Sequence, residues 1–396
     1  MSWYVANVTL FDGRSVKTKQ GVFVAGGNIE WVGAHARAPS VARAAQEIPG
    51  SGRTLTPGLI DCHVHLIFDG SANTKAEADV LTSTMATIKA TRNAAKHLAS
   101  GVTTVRDLGG FRSVCCEVGA AIEDGTIPGP RVLAAGRALT ITGGHGHNIG
   151  VAREVDGPDE VRRAVRQEIK AGAKAIKVIA TGGVLTPGID ATFTAFTPEE
   201  LVAAVHEAHT RGRGVAAHAI GAEGILQAVL AGVDSVEHCN QVTAEIAREM
   251  KARGTFRSPT LSALRGIVEH AEEVPEYAVR KATALEAESR DGFRRAVRDG
   301  VRHVCGTDAG TPFNLHGGAP RELVSMVEWG MTPLKALQAA TANGAELLRL
   351  PFAGTIDVGK EADLCLYDGN PVESIEYVLS PRLVMKTGAI VAGTLD

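Results

Sequence analysis

The chain has 396 residues, of which 44% are hydrophobic, and its charged side chains leave a net charge of −3 at pH 7. This composition supports a large folded core and excludes disorder as the main state. Because positive and negative charges nearly balance, the composition does not indicate a basic surface for binding nucleic acid or an anionic membrane. No apolar run approaches the ~18 residues of a membrane-spanning helix, and the first residues do not resemble a secretory signal.

Cysteine and histidine are the most informative residue types. The six cysteines are scattered without the spacing of a zinc finger or of a disulfide framework. We therefore expect reduced thiols in a cytoplasmic protein, whose partner is a small-molecule substrate rather than a nucleic acid or a membrane. Several of the 13 histidines end apolar runs of the kind that form strands.

The two ends of the chain have the same β-type pattern. Strands are predicted at residues 5–10, 21–24 and 28–32, separated by glycine-rich turns. The pattern returns from about residue 351, with strands predicted at residues 354–356, 363–367 and 384–391. Because neither end is long enough to bury a stable hydrophobic core of its own, we expect residues 1–57 and 351–396 to pair into one small β domain.

Between these ends, residues 58–350 alternate short apolar strands with amphipathic helices. The predicted strands lie at residues 59–65, 103–107, 132–135, 175–179, 215–219, 235–237, 256–258 and 301–306. Helices are predicted at residues 77–100, 159–171, 198–211, 222–231 and 244–253. Eight strand–helix units in roughly 290 residues are typical of a TIM barrel. An open doubly wound sheet is the alternative, although no Gly-x-Gly-x-x-Gly follows the first strand.

Reactive side chains of a TIM barrel lie at the carboxyl ends of its strands. Polar residues at such ends, or within an apolar strand, are His63, His65, Lys177, His218, His238 and Asp308. His63 and His65 are two positions apart, so both imidazoles of a strand would point to the same side.

Each of these residues has an ordinary structural explanation when taken alone. A strand-end histidine is often a satisfied polar residue, and an aspartate such as Asp308 often caps a loop. Lys177 is harder to explain, because burying an unpaired ammonium is costly, so the side chain must be paired, deprotonated or modified. The six together at one predicted rim indicate a functional site.

The segment Pro57-Gly58-Leu59-Ile60-Asp61-Cys62-His63-Val64-His65 resembles the first-strand signature of the amidohydrolase superfamily. The resemblance continues through Lys177, His218, His238, Thr307-Asp308, residues 336–345 and the tail at residues 354–364. It implies an α/β fold in which a distorted (β/α)8 TIM barrel, residues 58–350, stands beside a small β-sandwich built from residues 1–57 and 351–396.

The resemblance also implies a role for each site residue. His63 and His65 would bind one divalent metal ion together with Asp308, and His218 and His238 would bind a second. Lys177 would carry a carbamate, derived from carbon dioxide, that bridges the two ions. Zinc is the expected metal for nitrogen and oxygen ligands. Asp308 would take the proton from an attacking bridging hydroxide and pass it to the leaving amine.

Within the superfamily, the chain resembles the group of Xaa-Pro dipeptidases and ochratoxin-type amide hydrolases. The residues that carry this likeness are Thr142-Gly143-Gly144-His145-Gly146, Thr181-Gly182-Gly183 and His316-Gly317. His145 would lie over the metal ions and reach the substrate carbonyl or carboxylate; alternatively, it is a turn histidine held by its glycine neighbours. Arg106 and Asp107 are expected to position the metal ligands.

One position departs from this group. Members often carry tyrosine or histidine two residues after the histidine of the fifth strand, where the side chain can contact substrate, but this chain has Ile220. Because an apolar residue cannot bind a carboxylate, either the leaving group differs or the anion contact comes from elsewhere. His145, Arg257 and Arg265 are the candidates for that contact.

The predicted function is therefore a binuclear metal-dependent hydrolase that cleaves an amide C–N bond of an N-acyl amino acid, an Xaa-Pro-type dipeptide or a related amide. The same metal pair could serve a phenylurea, carbamate, lactone or organophosphate. A mononuclear deaminase is a weaker alternative, because such enzymes generally lack Lys177 and carry glutamate where this chain has Gly221. A non-enzymatic scaffold would have lost metal ligands. The outer helices of the barrel could support a homo-oligomer.

Overall fold

The computed structural model describes residues 2–395. The strands, β1 to β17, are Ser2–Phe11, Val16–Ala25, Asn28–Ala34, Gln46–Pro49, Thr54–Pro57, Leu59–Val64, Val102–Asp107, Arg131–Ala134, Ala138–Thr140, Ala152–Glu154, Ala175–Ile179, Gly214–Ala219, Ser235–His238, Phe256–Ser258, Leu364–Tyr367, Pro381–Lys386 and Ala389–Gly393. The helices, α1 to α13, are Ser40–Arg43, Thr74–Asp79, Ser83–Ala99, Val114–Glu123, Pro158–Lys170, Pro198–His209, Ala222–Ala231, Ala244–Arg253, Leu261–Glu269, Glu276–Asp299, Ala319–Glu328, Pro333–Ala339 and Ala342–Leu347. Three short 3-10 helices lie at His35–Arg37, His147–Ile149 and Ile375–Leu379.

Strands from both ends of the chain share one eight-stranded sheet. Its order is β17-β16-β15-β5-β1-β2-β3, and β4 pairs with β1. The two ends meet where β15 pairs antiparallel with β5, which places Leu364 opposite Pro57. Apolar side chains from both ends, including Leu10, Leu55 and Leu366, pack in one cluster.

The middle of the chain is an α/β structure with two parallel sheets. One has the order β6-β7-β8 and the other the order β10-β9-β11-β12-β13-β14. The central strands are apolar along almost their whole length, as expected for strands covered on both faces. This agrees with the predicted α/β class. None of the helices within residues 2–395 combines the length and the apolar character needed to cross a bilayer.

The predicted eighth strand is not a strand in the structure. Residues 301–306 form only an isolated bridge, between His303 and Arg257. The amide of Val304 donates to the carbonyl of Arg257 at 2.9 Å, and the amide of Cys62 donates to the carbonyl of Cys305 at 2.8 Å. However, the amide of Cys305 donates to Ala339 in α12 at 3.1 Å, and this contact interrupts the ladder. The segment therefore lies between β14 and β6 without pairing continuously to either.

Other elements differ from the predictions in extent. The helix predicted at residues 77–100 is two helices, because Thr82 caps α3 by accepting from the amide of Met85 at 3.2 Å. The strand predicted at residues 384–391 is the hairpin β16–β17, which turns at Thr387 and Gly388 with φ values of 46° and 75°. No strand forms at residues 354–356. Helices α9 and α10 were not predicted.

Candidate metal centre

All six strand-end residues, together with His145, line one pocket of about 880 Å³ measured out to its mouth. Four of the residues lie on strands: His63 on β6, Lys177 on β11, His218 on β12 and His238 on β13. His65 lies just beyond β6, and Asp308 lies just beyond residues 301–306. The carboxyl ends of these parallel elements meet at the same edge, and this brings residues distant in sequence into one cavity.

His63, His65 and Asp308 form the tightest part of the site. One carboxylate oxygen of Asp308 lies 3.2 Å from Nε2 of His63 and 3.1 Å from Nε2 of His65. These three residues are the group within residues 2–395 whose ligand atoms, all within 4.8 Å of one another, could hold a metal ion. Two imidazole nitrogens facing one carboxylate oxygen are a donor set suited to a divalent cation.

Each of the four histidines has one ring nitrogen engaged outside the cluster. Nδ1 of His63 donates to Glu237 at 3.0 Å, and Nδ1 of His65 donates to the carbonyl of Gly109 at 3.0 Å. Nε2 of His218 donates to the carbonyl of Gly182 at 2.7 Å, and Nδ1 of His238 pairs with the hydroxyl of Thr260 at 2.7 Å. Such partners fix ring orientation and tautomer in metal sites, leaving the opposite nitrogen of each ring as the ligand.

Burial keeps most of these imidazoles neutral, which is the form that binds metal. Burial is the main cause that lowers the pKa of His63, His218 and His238 well below 6.5. Burial also opposes the protonated form of His65, but the hydrogen bond and the charge of Asp308 outweigh it and raise the pKa of His65.

Lys177 is buried among these residues without a hydrogen-bond partner for Nζ. Burial lowers the pKa of its ammonium to about 8, although the negative charges of Glu237 and Asp308 oppose the shift. A neutral amine is therefore within reach near neutral pH. An unsatisfied buried amine is costly, and modification to a carbamate that binds cations would remove that cost. The donor set and this orphaned nitrogen fit a metal pair.

The backbone is strained where the site residues leave their strands. His238, Thr260 and Asp308 have φ values of 64°, 48° and 62°, in the left-handed region that side chains other than glycine disfavour. Strain of this kind persists only where the surrounding structure enforces it, and it is concentrated at functional sites. The buried carboxylate of Asp61 holds the backbone next to Asp308 by accepting from the amide and the hydroxyl of Thr307 at 3.1 and 2.7 Å.

A buried network lies behind His63. Arg106 was expected to position the metal ligands, whereas Glu237 was not predicted from sequence. Glu237 accepts from His63 through one oxygen, and through the other it accepts from Arg106 at 2.9 Å and from Ser235 at 2.5 Å. Arg106 also donates to the carbonyl of Cys62 at 2.7 Å. The signal was an acidic residue, Glu237, inside a buried strand next to a histidine. Asp107 accepts from the amide of Leu66 at 2.8 Å.

His145 lies at the side of the cluster, with its ring centroid 4.7 Å from that of His218. Its Nδ1 pairs with the hydroxyl of Thr186 at 2.7 Å, and burial lowers its pKa to about 3. Gly183 packs against the ring so closely that a Cβ there would lie 2.4 Å from it. Lys281 of α10 holds this loop by donating to the carbonyls of Gly183 and Thr186 at 3.0 and 2.7 Å.

The rest of the pocket is mainly apolar. One wall carries Phe68, Ile149 and Val151, which belong to one hydrophobic cluster. A second wall belongs to a different hydrophobic cluster. It is formed by the loop after β11, the end of β12 and the helices α9 and α10. Its side chains are Val184, Leu185, Ile220, Leu264, Ile267 and Leu285. The helical part of this wall was not predicted, although the three-residue spacing of Leu261, Leu264 and Ile267 is helical.

Neither arginine suggested as an anion contact lines the pocket. Arg265 donates to Ser325 at 2.8 Å and to Glu328 at 2.7 Å on another face of α9. Arg257 is fully buried outside the pocket lining, with its guanidinium carbon 5.3 Å from the ring centre of Phe293. Its Nη2 donates to the carbonyl of His238 at 3.4 Å, whereas Nε and Nη1 have no hydrogen-bond partner. The structure therefore gives no support to the expectation that either arginine contacts the substrate, because neither lines the pocket.

A sequence model of the amidohydrolase family matches residues 54–391. The chain belongs to the amidohydrolase family. The ochratoxinase of Aspergillus niger is 34% identical over 386 residues, covering 90% of this chain and 78% of the relative. The crystal structure of a Xaa-Pro dipeptidase with bound methionine has 35% identity and a TM-score of 0.91, covering 98% of this chain and 99% of the other. The crystal structure of A. niger ochratoxinase has 32% identity and a TM-score of 0.90, covering 99% and 96%.

Membership of the amidohydrolase family confirms the resemblance inferred from the first-strand signature. It also confirms the prediction that the protein is a hydrolytic enzyme acting on amide bonds. Amidohydrolases generally use a divalent metal ion, and the cluster of His63, His65 and Asp308 is suited to hold one.

Proposed function

We propose that this amidohydrolase is a binuclear metal-dependent enzyme that hydrolyses an amide C–N bond in a small, largely apolar substrate. The observation that carries the proposal is the unpartnered Nζ of Lys177, buried in a pocket that four imidazoles also line. A mononuclear site would leave this amine unexplained, whereas a carbamate shared by two ions would satisfy it.

The residues divide into two sets of ligands. His63 and His65 would hold one ion together with Asp308, and His218 and His238 would hold the second. The carbamate on Lys177 would serve both, and zinc is the metal that nitrogen and oxygen donors favour. When bound, such a pair lowers the pKa of the attacking water and polarises the scissile carbonyl.

Asp308 is the group placed to move the proton. Burial raises the pKa of its carboxyl, but the charge of His63 and the hydrogen bond to His65 outweigh burial and lower it, so the side chain is ionised. An ionised carboxylate at this position can accept the proton of the attacking water and return it to the departing amine. Without that return, the amine would have to leave as a strongly basic anion.

His145 is proposed to contact the substrate beside the metal ligands. Thr186 and Gly183 hold its ring in place, so its position is set before substrate binds. A preorganised side chain of this kind orients the scissile group at little entropic cost. The apolar walls then exclude water from the acyl and amine portions.

We further propose that the two parallel sheets are parts of one distorted (β/α)8 barrel over residues 58–350. Residues 1–57 and 351–396 would form the β-sandwich, since strands from both ends already share one sheet. In this arrangement, every proposed metal ligand belongs to the barrel. The carboxyl ends of its strands form the active-site face.

The test begins with protein produced in the presence of zinc. We expect metal analysis to find two ions per chain. We expect zinc-loaded protein to hydrolyse at least one class among N-acyl amino acids, Xaa-Pro dipeptides, anilides and phenylureas. Asp308→Asn is the matched variant, which should lose turnover while still binding substrate. Absence of bound metal would refute the proposal, and full activity of Asp308→Asn would refute the proton transfer.

A further inference from the structure

The proposed metal ions are the cations that the pocket would offer to a substrate carboxylate. Among the described residues that line the pocket outside the proposed metal centre, the side chains are apolar or neutral and polar, and none is arginine, lysine or tyrosine. The neutral polar ones, apart from His145, are Thr74, Asn240, Thr260 and Thr311. We infer, building on the proposed function, that the substrate is a neutral amide with uncharged apolar groups on both sides of the scissile bond, and not a dipeptide or an N-acyl amino acid.

The apolar wall of the pocket offers a carboxylate no partner. Ile220 is 3% exposed and packs with Val184 and Ile267 in the same hydrophobic cluster. Leu285 of α10 and Leu264 of α9 extend this surface along the pocket. An alkyl or aryl amine can bury against it, whereas a carboxylate placed there would lose its water without gaining an ion pair.

The cations that lie near the pocket are committed elsewhere. Lys281 donates to two backbone carbonyls of the loop after β11 and does not line the pocket. Arg265 is paired with Glu328, and Arg257 is fully buried, with Nη2 donating to the carbonyl of His238 at 3.4 Å. None of these three cations lines the pocket that a substrate would enter.

The unpaired polar atoms of the lining suit a neutral ligand. The hydroxyl of Thr74 and Oδ1 of Asn240 are buried without hydrogen-bond partners. The side chain of Asn240 donates from Nδ2 to the hydroxyl of Ser289, and its Oδ1 remains without a hydrogen-bond partner. A carboxylate would gain nothing from this oxygen, because both groups only accept hydrogen bonds. The lining therefore favours a substrate without a carboxylate.

A matched pair of ligands isolates the carboxylate. N-Phenethylbenzamide and N-benzoylphenylalanine share their benzoyl group and their second phenyl ring. They differ only in the carboxylate, which N-benzoylphenylalanine alone carries. Zinc-loaded Asp308→Asn protein allows their dissociation constants to be measured by calorimetry without turnover. We expect the neutral amide to bind at least about 100-fold more tightly, because the acid would bury an unpaired charge. Equal binding, tighter binding of the acid, or binding of neither would overturn the inference.

A second variant supplies the missing cation. In an Asp308→Asn background, Leu264→Arg places a guanidinium on the pocket wall at a half-buried position, and Leu264→Met is the matched apolar control. The arginine should reduce the preference for the neutral ligand at least about tenfold, since it provides an ion pair, and the methionine should preserve it. An unchanged preference in Leu264→Arg would overturn the inference. Turnover of the neutral amide by wild-type protein tests amide hydrolysis separately, because ligand preference does not depend on it.

Discussion

Substitution of Glu237 by glutamine tests whether the network behind His63 orients a metal ligand. Glu237 is fully buried and accepts from His63 at 3.0 Å and from Arg106 at 2.9 Å. Glutamine keeps the shape but replaces one acceptor oxygen by an NH₂ group and removes the charge. The variant can therefore satisfy His63 or Arg106, but not both in the native geometry.

The expected magnitude has two parts. Loss of an orienting partner of this kind weakens metal binding about 10- to 100-fold, equivalent to about 1.4–2.7 kcal/mol. Because His63 belongs to only one of the two proposed ligand sets, the weakening should fall mainly on one of the two ions. Separately, Arg106 would stay buried without its carboxylate, which costs about 3–5 kcal/mol of folding stability.

Zinc competition against a chelating dye measures the first effect, and urea unfolding of metal-free protein measures the second. Glu207→Gln is the matched control, since the buried Glu207 also accepts from an arginine, Arg166, at 2.7 Å but does not line the pocket of the proposed metal centre. We expect Glu207→Gln to leave both zinc affinities unchanged. If Glu237→Gln binds both ions as tightly as wild type while its stability falls, the network supports the fold and does not tune the metal site.

Three further predictions concern single side chains. Lys177→Ala should reduce the metal content from two ions towards one, and acetate should restore part of it; two ions retained without acetate would count against a bridge. Gly183→Ala should lower kcat/KM at least about tenfold at unchanged metal content, because its Cβ would displace His145; unchanged kinetics would remove His145 from the mechanism. Burial lowers the pKa of His316 to about 4 in the folded chain. In the unfolded chain this histidine binds a proton below about pH 6.5, whereas in the folded chain it does so only near pH 4. His316 should contribute up to about 3 kcal/mol to the fall in the free energy of unfolding across this window, in addition to the contributions of the other buried histidines. His316→Gln should reduce the fall in urea titrations by that amount; an unchanged slope would refute the assignment.

Elements with strong local patterns were predictable to the residue. Ala175–Ile179, Ala222–Ala231 and Ala244–Arg253 have the bounds that the sequence predicts. Each is short, has a clear period and ends at a local signal such as Gly232, whose φ of 95° closes α7. Strand-end polarity likewise predicted which six side chains to consider together.

Elements decided by tertiary contacts were not predictable in this way. Residues 301–306 have the apolar pattern of a strand, but Ala339 takes a backbone amide that a ladder would need. Helix α10 buries small residues such as Ala278, Ala282 and Gly292, whose spacing is helical but whose low hydrophobicity hides the pattern. The helices α9 and α10 that carry part of the apolar wall were missed as well, although Ile220 of the same wall was singled out from the sequence.

The partners of the metal ligands were hidden from the sequence for a different reason. Two of the four histidines are oriented by backbone carbonyls, those of Gly109 and Gly182, and a carbonyl has no residue-type signature. Their positions depend on the loops that follow β7 and β11, and Lys281 holds the second loop from a distant helix. The motif residues supply the chemistry, whereas the geometry that selects one ring nitrogen comes from the packed chain around them.

This division between motif and surroundings explains how specificity can differ among proteins with the same ligands. The proposed metal ligands belong to the barrel strands or lie just beyond them, whereas the apolar wall of the pocket is built largely by the loop after β11 and by helices α9 and α10. Ile220 packs into this wall, so under the proposal its side chain affects the charge that the pocket accepts and not the geometry of the ligands. Substrate preference in this chain should therefore follow the wall, and substitutions at Leu264 should move it while leaving the zinc affinity unchanged.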